Sequence, residues 1–380
     1  MNMKFAIQKF CGLMLFLLIS ATTFAQQTLT IGGTVSDDKG AIPGATVFLT
    51  GTKFMMATNA TGDFKFSKVP PGNYSLIVKM LGFEPFLKQM MVGDANVTIN
   101  VLLKESTSQL AEVVIRPNSK DWYKNLELFK AQFLGENDNA KQCKIMNAEV
   151  LALNYDKDTR ILKASAEDLL KIENKALGYR ITYLLVNFQF DTRKNTVVYQ
   201  GYPSFENMTG TTGEEAAWNE KRAGAYEGSI QHFISSLYNN NTKQQGFVVY
   251  ELAKWTPGGS GYFTHADSTV RKRRVELDTM LTTMNQNYKK LGFNKPLFVV
   301  YLKKREDTQY QAHGYSLSKL YQDKRLDDGQ TSIINLQAPT VIIDAKGAFY
   351  KPQDLFFEGY MGWQKVANLT PFGFNLKTGG

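Results

Sequence analysis

Residues 31–84 read IGGTVSDDKGAIPGATVFLTGTKFMMATNATGDFKFSKVPPGNYSLIVKMLGFE, and this stretch decides the fold of the N-terminal region. Short β-prone runs alternate with turn signals roughly every 8–12 residues, the pattern of an all-β sandwich. With the flanking residues the runs are TLTIGGTV, ATVFLTGT, FMMATN, DFKFSKV, YSLIVKML, FLKQMMV and VTINVLL. Between them stand Asp38-Lys39-Gly40, Ile42-Pro43-Gly44, Thr61-Gly62-Asp63 and Pro70-Pro71-Gly72-Asn73. Each supplies a positive φ or a preset φ for a tight turn. In YSLIVKML, Tyr74, Leu76, Val78 and Met80 fall on one face, with Ser75 and Lys79 opposite and Ile77 between them. That alternation is what a half-buried strand requires. Residues 28–104 therefore read as a small β-sandwich.

The pieces I-G-G-T-V-S-D, A-I-P-G-A-T-V, N-A-T-G-D-F-K-F, V-P-P-G-N-Y-S-L and L-G-F-E, in this order, resemble the carboxypeptidase regulatory-like domain. The tail L-A-E-V-V-I at 110–115 resembles a segment that follows this domain in envelope proteins. The resemblance implies a seven-stranded, transthyretin-like sandwich serving as an accessory module. Such modules occur on metallocarboxypeptidases, on outer-membrane TonB-dependent receptors and on uncharacterised exported proteins. It does not bring the peptidase with it. A catalytic zinc needs three protein ligands and one open position. The histidines here are His232, His265 and His313, and three residues beyond each comes Ser235, Ser268 or Ser316, so no His-x-x-Glu pair exists. No metal or other cofactor is expected.

Ahead of the sandwich, Lys4 and Lys9 precede an apolar run from Phe10 to Ile19, and Thr23-Phe24-Ala25 forms a small-residue cleavage pattern. Residues 1–25 are expected to be a secretory signal peptide, because a membrane span needs about 20 apolar residues. Losing Lys4 and Lys9 lowers the formal charge from +9 to +7 and leaves Cys143 as the lone cysteine, read as a buried, inert thiol. No later stretch suits a transmembrane helix. The chain of 380 residues, 43% hydrophobic and 21% charged, has the balance of a globular protein and enough length for two or three cores. Export makes nucleic acid an unsuitable partner, and five N-x-T sequons matter only in a glycosylating pathway.

Residues 105–120 read as a polar connector around Pro117. Beyond it, residues 121–380 are expected to form an α+β domain with a mainly antiparallel sheet. Trp122, Leu126, Phe129 and Phe133 recur at helical spacing before Gly135. Strands are expected at 148–155, 160–165, 179–190, 195–202, 246–253, 296–303, 331–336 and 339–344. One long helix is expected over 214–238, its stripe being Tyr226, Ile230, Phe233 and Leu237, and another over 274–290. The phrases C-K-I-M-N-A-E-V-L, I-E-N-K-A-L-G-Y-R-I and A-Y-E-G-S-I-Q-H-F resemble a domain of uncharacterised envelope proteins, which implies no activity.

Candidate contacts are few. On a continuous helix His232 would share a flank with Trp218, Arg222, Ser229 and Ser236, either as a ligand-facing strip or as a helix edge beside its own core. Arg271-Lys272-Arg273-Arg274 is the densest basic run, suited to anionic lipid or polyanionic glycan, or to a solvated helix start. Trp255 opens an aromatic-rimmed, glycine-rich loop that ends at Phe263, either a binding loop or a plain surface connection. The acid pairs Glu167-Asp168, Glu214-Glu215 and Asp327-Asp328 do not establish the facing geometry of a glycosidase. No catalytic residue is assigned. The expectation is an exported, non-catalytic binding or scaffold protein of the periplasm or outer membrane, with an envelope protein or glycan as partner. The alternative is an envelope hydrolase whose carboxylates lie in 121–380. A small outer-membrane barrel suits the helical stretches poorly.

Overall fold

The computed structural model of the protein describes residues 29–106, 119–254, 269–312 and 329–374. The signal segment, the loop at Trp255, His265, His313 and Asp327-Asp328 lie outside them. The first described region is a two-sheet sandwich. One sheet has five strands: β1 (Leu29–Asp37), β2 (Gly40–Ala41), β5 (Asp63–Val69), β8 (Val97–Thr98) and β9 (Val101–Leu102). The other has four, in the order β4 (Met55–Ala57), β3 (Thr46–Leu49), β6 (Gly72–Lys79), β7 (Phe86–Val92).

The core between the sheets holds Ile31, Val35, Val47, Phe64, Leu76 and Val78, the face the alternation implies. However, β6 is buried along its whole length and is not a half-buried strand, because its other face packs Ile77 against Leu169, Leu184 and Tyr202. There are nine strands, not seven. VTINVLL splits around Ile99-Asn100 into β8 and β9, both parallel to β1, and β2 is a two-residue hairpin arm. Gly33 permits this close crossing, since a Cβ there would lie 1.8 Å from the Ile99 carbonyl oxygen.

The described residues between 119 and 374 are sheet-rich, with helices inserted, and carry two large cores and a smaller cluster of Val248, Tyr250, Leu252, Phe298, Val300 and Ile333. The first lies under α1 (Lys120–Phe133), whose Ser119 cap accepts the Trp122 N–H. Trp122, Leu126, Phe129 and Phe133 pack on an antiparallel six-stranded sheet. Its strands are β10 (Cys143–Ile145), β11 (Leu151–Asp156), β12 (Ile161–Ala166), β13 (Leu170–Asn174), β14 (Tyr179–Asp191) and β15 (Thr196–Asn207). Cys143 begins a strand as expected, and burial pushes its thiol up to about 12, which makes it inert at neutral pH.

The second core joins Phe233, Phe247, Leu297, Val299, Ile334 and Ile343. It draws on a second antiparallel sheet containing β16 (Phe247–Lys254), β17 (Thr269–Arg274), β20 (Leu297–Tyr301), β21 (Gln330–Leu336) and β23 (Leu355–Gly359). A small sheet of β18 (Leu281–Thr283), β19 (Lys289–Leu291) and β22 (Val341–Ile343) lies beside it. All eight expected strands form.

The helices need two corrections. The stretch expected as one helix is α2 (Thr212–Tyr226) and α3 (Ile230–Tyr238), broken where Gly228 takes φ +81° and Ser229 caps α3. The stretch 274–290 is not a helix. It ends β17, passes through a short 3-10 turn and supplies β18 and the start of β19. Three-residue strands owe their conformation to partners such as Val341–Ile343, and helical periodicity cannot register that. Among the described residues no helix is long and apolar enough to cross a membrane.

Candidate functional site

The break at Gly228 divides the residues expected to share one helical flank. Trp218 and Arg222, on α2, turn to the 174–178 turn. Trp218 Nε1 donates to the Lys175 carbonyl at 2.9 Å, and its ring lies where a Cβ on Gly178 would be. Arg222 Nε donates to Leu177 O at 2.7 Å, Nη2 to Gly178 O at 3.0 Å and Nη1 to Asn219 Oδ1 at 3.1 Å. Its guanidinium carbon is 4.1 Å from the Tyr179 ring centroid. The fork thus caps a chain reversal and stacks on an aromatic face, a job lysine cannot do.

His232 looks elsewhere. Its Nδ1 accepts the Gly228 N–H at 3.1 Å, so Nε2 carries the proton shared with Gln245 Oε1 at 3.0 Å. Tyr226, Phe247 and Tyr301 surround the ring, and burial lowers its pKa, keeping it neutral. Both ring nitrogens are committed. All three side chains are under 10% exposed and are turned into the protein's own interior. Arg271, Arg273 and Arg274 lie in β17, with Arg274 paired to Tyr250, so the basic run is a strand and not a helix start. Trp255 is outside the described residues.

The contacts that organise the molecule run from the sandwich to the rest of the chain. Phe48 and Ile77, on the outer face of the four-stranded sheet, pack against Leu169, Leu184 and Tyr202. Gly51 N donates to Pro203 O at 2.6 Å, Phe205 N to Thr52 O at 2.8 Å, and Phe372 N to Gly51 O at 2.6 Å. The turn between β5 and β6 meets the hairpin after β22. Asp344 Oδ2 accepts the Asn73 N–H at 2.7 Å, while Oδ1 accepts Lys346 N at 2.9 Å and Ala348 N at 3.1 Å. The Lys346 ammonium sits 3.7 Å from the Tyr74 ring centroid. Its Nζ is buried without a hydrogen-bond partner, and burial depresses it to about 8. Gly72 beside it takes φ +150°, which L side chains rarely adopt, and a Cβ there would also lie 2.9 Å from Asp344 Oδ2.

With one face of the sandwich covered, the opposite face is uncovered among the described residues. There β1 presents Thr30, Gly32 and Thr34 outward while Leu29, Ile31 and Val35 enter the core. Asp63 and Lys65 of β5 and Asn96, Thr98 and Asn100 flank them. The result is a trough of about 600 Å³ whose floor is a residue without a side chain. Oriented polar groups line it. Thr30 N donates to Asn96 Oδ1 at 2.8 Å, and Thr34 Oγ1 to Asn100 Oδ1 at 3.2 Å. Asp63 is held by Thr61 and Asn59, whose hydrogen bonds keep its carboxyl below the usual range. Among the described residues no group of three or more His, Cys, Asp or Glu could hold a metal.

This open-faced sandwich is a carboxypeptidase regulatory-like domain: a sequence model of the family described as CarboxypepD_reg-like domain matches residues 31–115. The match runs past residue 104, where the strand pattern ends, and takes in the L-A-E-V-V-I tail. Among curated proteins the chain is 32% identical over 114 residues to the TonB-dependent transporter Oar of Myxococcus xanthus. That alignment covers 28% of this chain and 11% of the transporter, so the chain spans about a tenth of that relative's length. Similar solved structures include a chain of a type II cohesin–X-dockerin complex from Acetivibrio cellulolyticus, 18% identical over 27% of this chain and 73% of that one, TM-score 0.20. Another is the major pilin subunit of Bacillus cereus, 13% identical over 48% of this chain and 70% of the pilin, TM-score 0.19. Such low TM-scores bear on neither fold nor function.

Proposed function

We propose that the protein is an exported, non-catalytic binding or scaffold component of the bacterial envelope, at the outer membrane or in the periplasm. Residues 28–104 and 121–380 are its two domains, joined by 105–120 and fixed to each other. The observation that carries this reading is the asymmetry of the sandwich. One outer face is committed to its own chain through Phe48, Ile77 and the Asn73–Asp344 hydrogen bond, and the other is open and polar. A rigid body presenting one free recognition face suits binding. The committed nitrogens of His232 and the carbonyl-bound fork of Arg222 leave those groups no role as base or electrophile.

Export is supported by the basic and apolar residues 4–19 and by the similarity to a transporter's domain. The partner is an envelope protein or a glycan. The test is fractionation of cells expressing the tagged full chain, with identification of what co-purifies from the envelope fraction. A stable envelope partner or glycan is expected. Recovery in the cytoplasm, or a solitary monomer with hydrolytic turnover, would overturn the proposal.

A further inference from the structure

We infer that the open trough on the β1 face is a binding site for an uncharged oligosaccharide. The inference rests on the binding reading above and names the ligand class. Its first support is the pair of matched amides. Asn96 and Asn100 each spend Oδ1 on a β1 threonine, Thr30 and Thr34, at the same sequence offset. Those bonds fix both amide planes, and neither Nδ2 has a partner among the described residues. Two preoriented donors therefore stand about 13 Å apart, the span of four residues along a strand. A short oligosaccharide spans that length and offers hydroxyl acceptors along it.

The second support is the floor. Thr30 and Thr34 flank Gly32, so a flat ring can approach the backbone where any side chain would stand in the way. Charge decides between classes of glycan. The lining holds one carboxylate, Asp63, and one ammonium, Lys65, on the same strand, and its other polar groups are amides and hydroxyls. A polyanion would meet no excess of positive charge there. An extended peptide is disfavoured for a different reason. Strand addition needs a free edge, and β1, which runs along the trough, is paired on one side with β5 and on the other with β8 and β9. The outer edges of those flanking strands lie in the plane of the sheet, not over the trough.

The experiment uses the full chain against immobilised maltohexaose, cellohexaose, laminarihexaose and chitohexaose. A hyaluronan hexasaccharide and an extended-peptide library serve as comparisons. Retention of at least one neutral hexasaccharide is expected, weakened at least tenfold by joint Asn96→Leu and Asn100→Leu substitution. Gly32→Gln should also abolish it by filling the floor, while Lys88→Met, in β7 of the other sheet, leaves it within about twofold. Thermal melting confirms that each variant is folded, and amide shifts of β1 and residues 96–100 on titration place the sugar independently of the variants. Retention of none of the neutral sugars, preference for the anionic hexasaccharide or for peptides, or binding indifferent to Asn96, Asn100 and Gly32 would each overturn the inference. Envelope partners that still co-purify would in that case leave the broader binding reading standing.

Discussion

The carboxylate of Asp344 accepts the backbone N–H of Asn73 at 2.7 Å across 271 positions of sequence. Asn73 belongs to the Pro70-Pro71-Gly72-Asn73 turn that marks the sandwich in the sequence, and Asp344 opens a hairpin of the second core's region. The same carboxylate organises its own hairpin through Lys346 N and Ala348 N. One buried carboxylate therefore ties a turn of the sandwich to a hairpin far along the chain.

Asp344→Ala leaves three N–H groups, two of them buried and one part-buried, without their acceptor and should cost about 3 kcal/mol. Asp344→Asn keeps a carbonyl oxygen and should lose less. Thermal unfolding, together with protease sensitivity of the β5–β6 turn, reads both. Equal stability of the alanine variant and the parent would show that the hairpin and turn are held by other contacts.

Arg222→Lys tests whether Arg222 is a structural cap. Lysine keeps the charge but cannot reach Leu177 O and Gly178 O together from the face of Tyr179. A loss of roughly 2–3 kcal/mol is expected. Binding by the folded variant should not change. A ligand-binding loss without a stability loss would restore the ligand-strip reading of α2.

His232 predicts a pH dependence. Its folded pKa lies below the ordinary value of about 6.5, so below that pH the unfolded chain binds a proton the native state resists. Stability is present in full above pH 6.5 and is lost as pH falls from there toward the depressed folded value. Denaturant unfolding at pH 7.5 and pH 5.5 should show the loss, and His232→Gln should flatten that part of the slope.

Gly33→Ala places a methyl against the Ile99 carbonyl, where the Cβ would be 1.8 Å from the oxygen. The backbone of β8 and β9 must shift, at a cost of roughly 2–3 kcal/mol. Gly40→Ala, with nothing within 4 Å of its Cβ, meets no such crowding and is the milder control. Comparison of the two melting temperatures checks it.

The misreadings share a physical cause. Glu227-Gly228-Ser229 holds a helix breaker followed by an N-cap residue, but the apolar stripe through Tyr226, Ile230, Phe233 and Leu237 keeps helical spacing across it. Periodicity reports burial, and both helices bury that stripe. The Arg271–Arg274 run looked like a helix start because charge pattern says nothing about conformation, and pairing with β16 made it a strand. The trough left a faint trace, the Gly32-Gly33 pair in a strand, which marks a close backbone approach.

Local chemistry written in the chain determined the sandwich. Turn residues at 38–40, 43–44, 62 and 70–73 and the alternation of Tyr74, Leu76 and Val78 suffice, because each acts within a few residues of itself. Only the tertiary structure decided which polar groups are buried, which face of the sandwich is open and which stays covered. Asp344 with Asn73, Arg222 with the carbonyls of 177–178, and Asn96 with Thr30 meet across 271, 44–45 and 66 positions. Interactions of that range depend on how whole sheets pack, and no sequence window contains them.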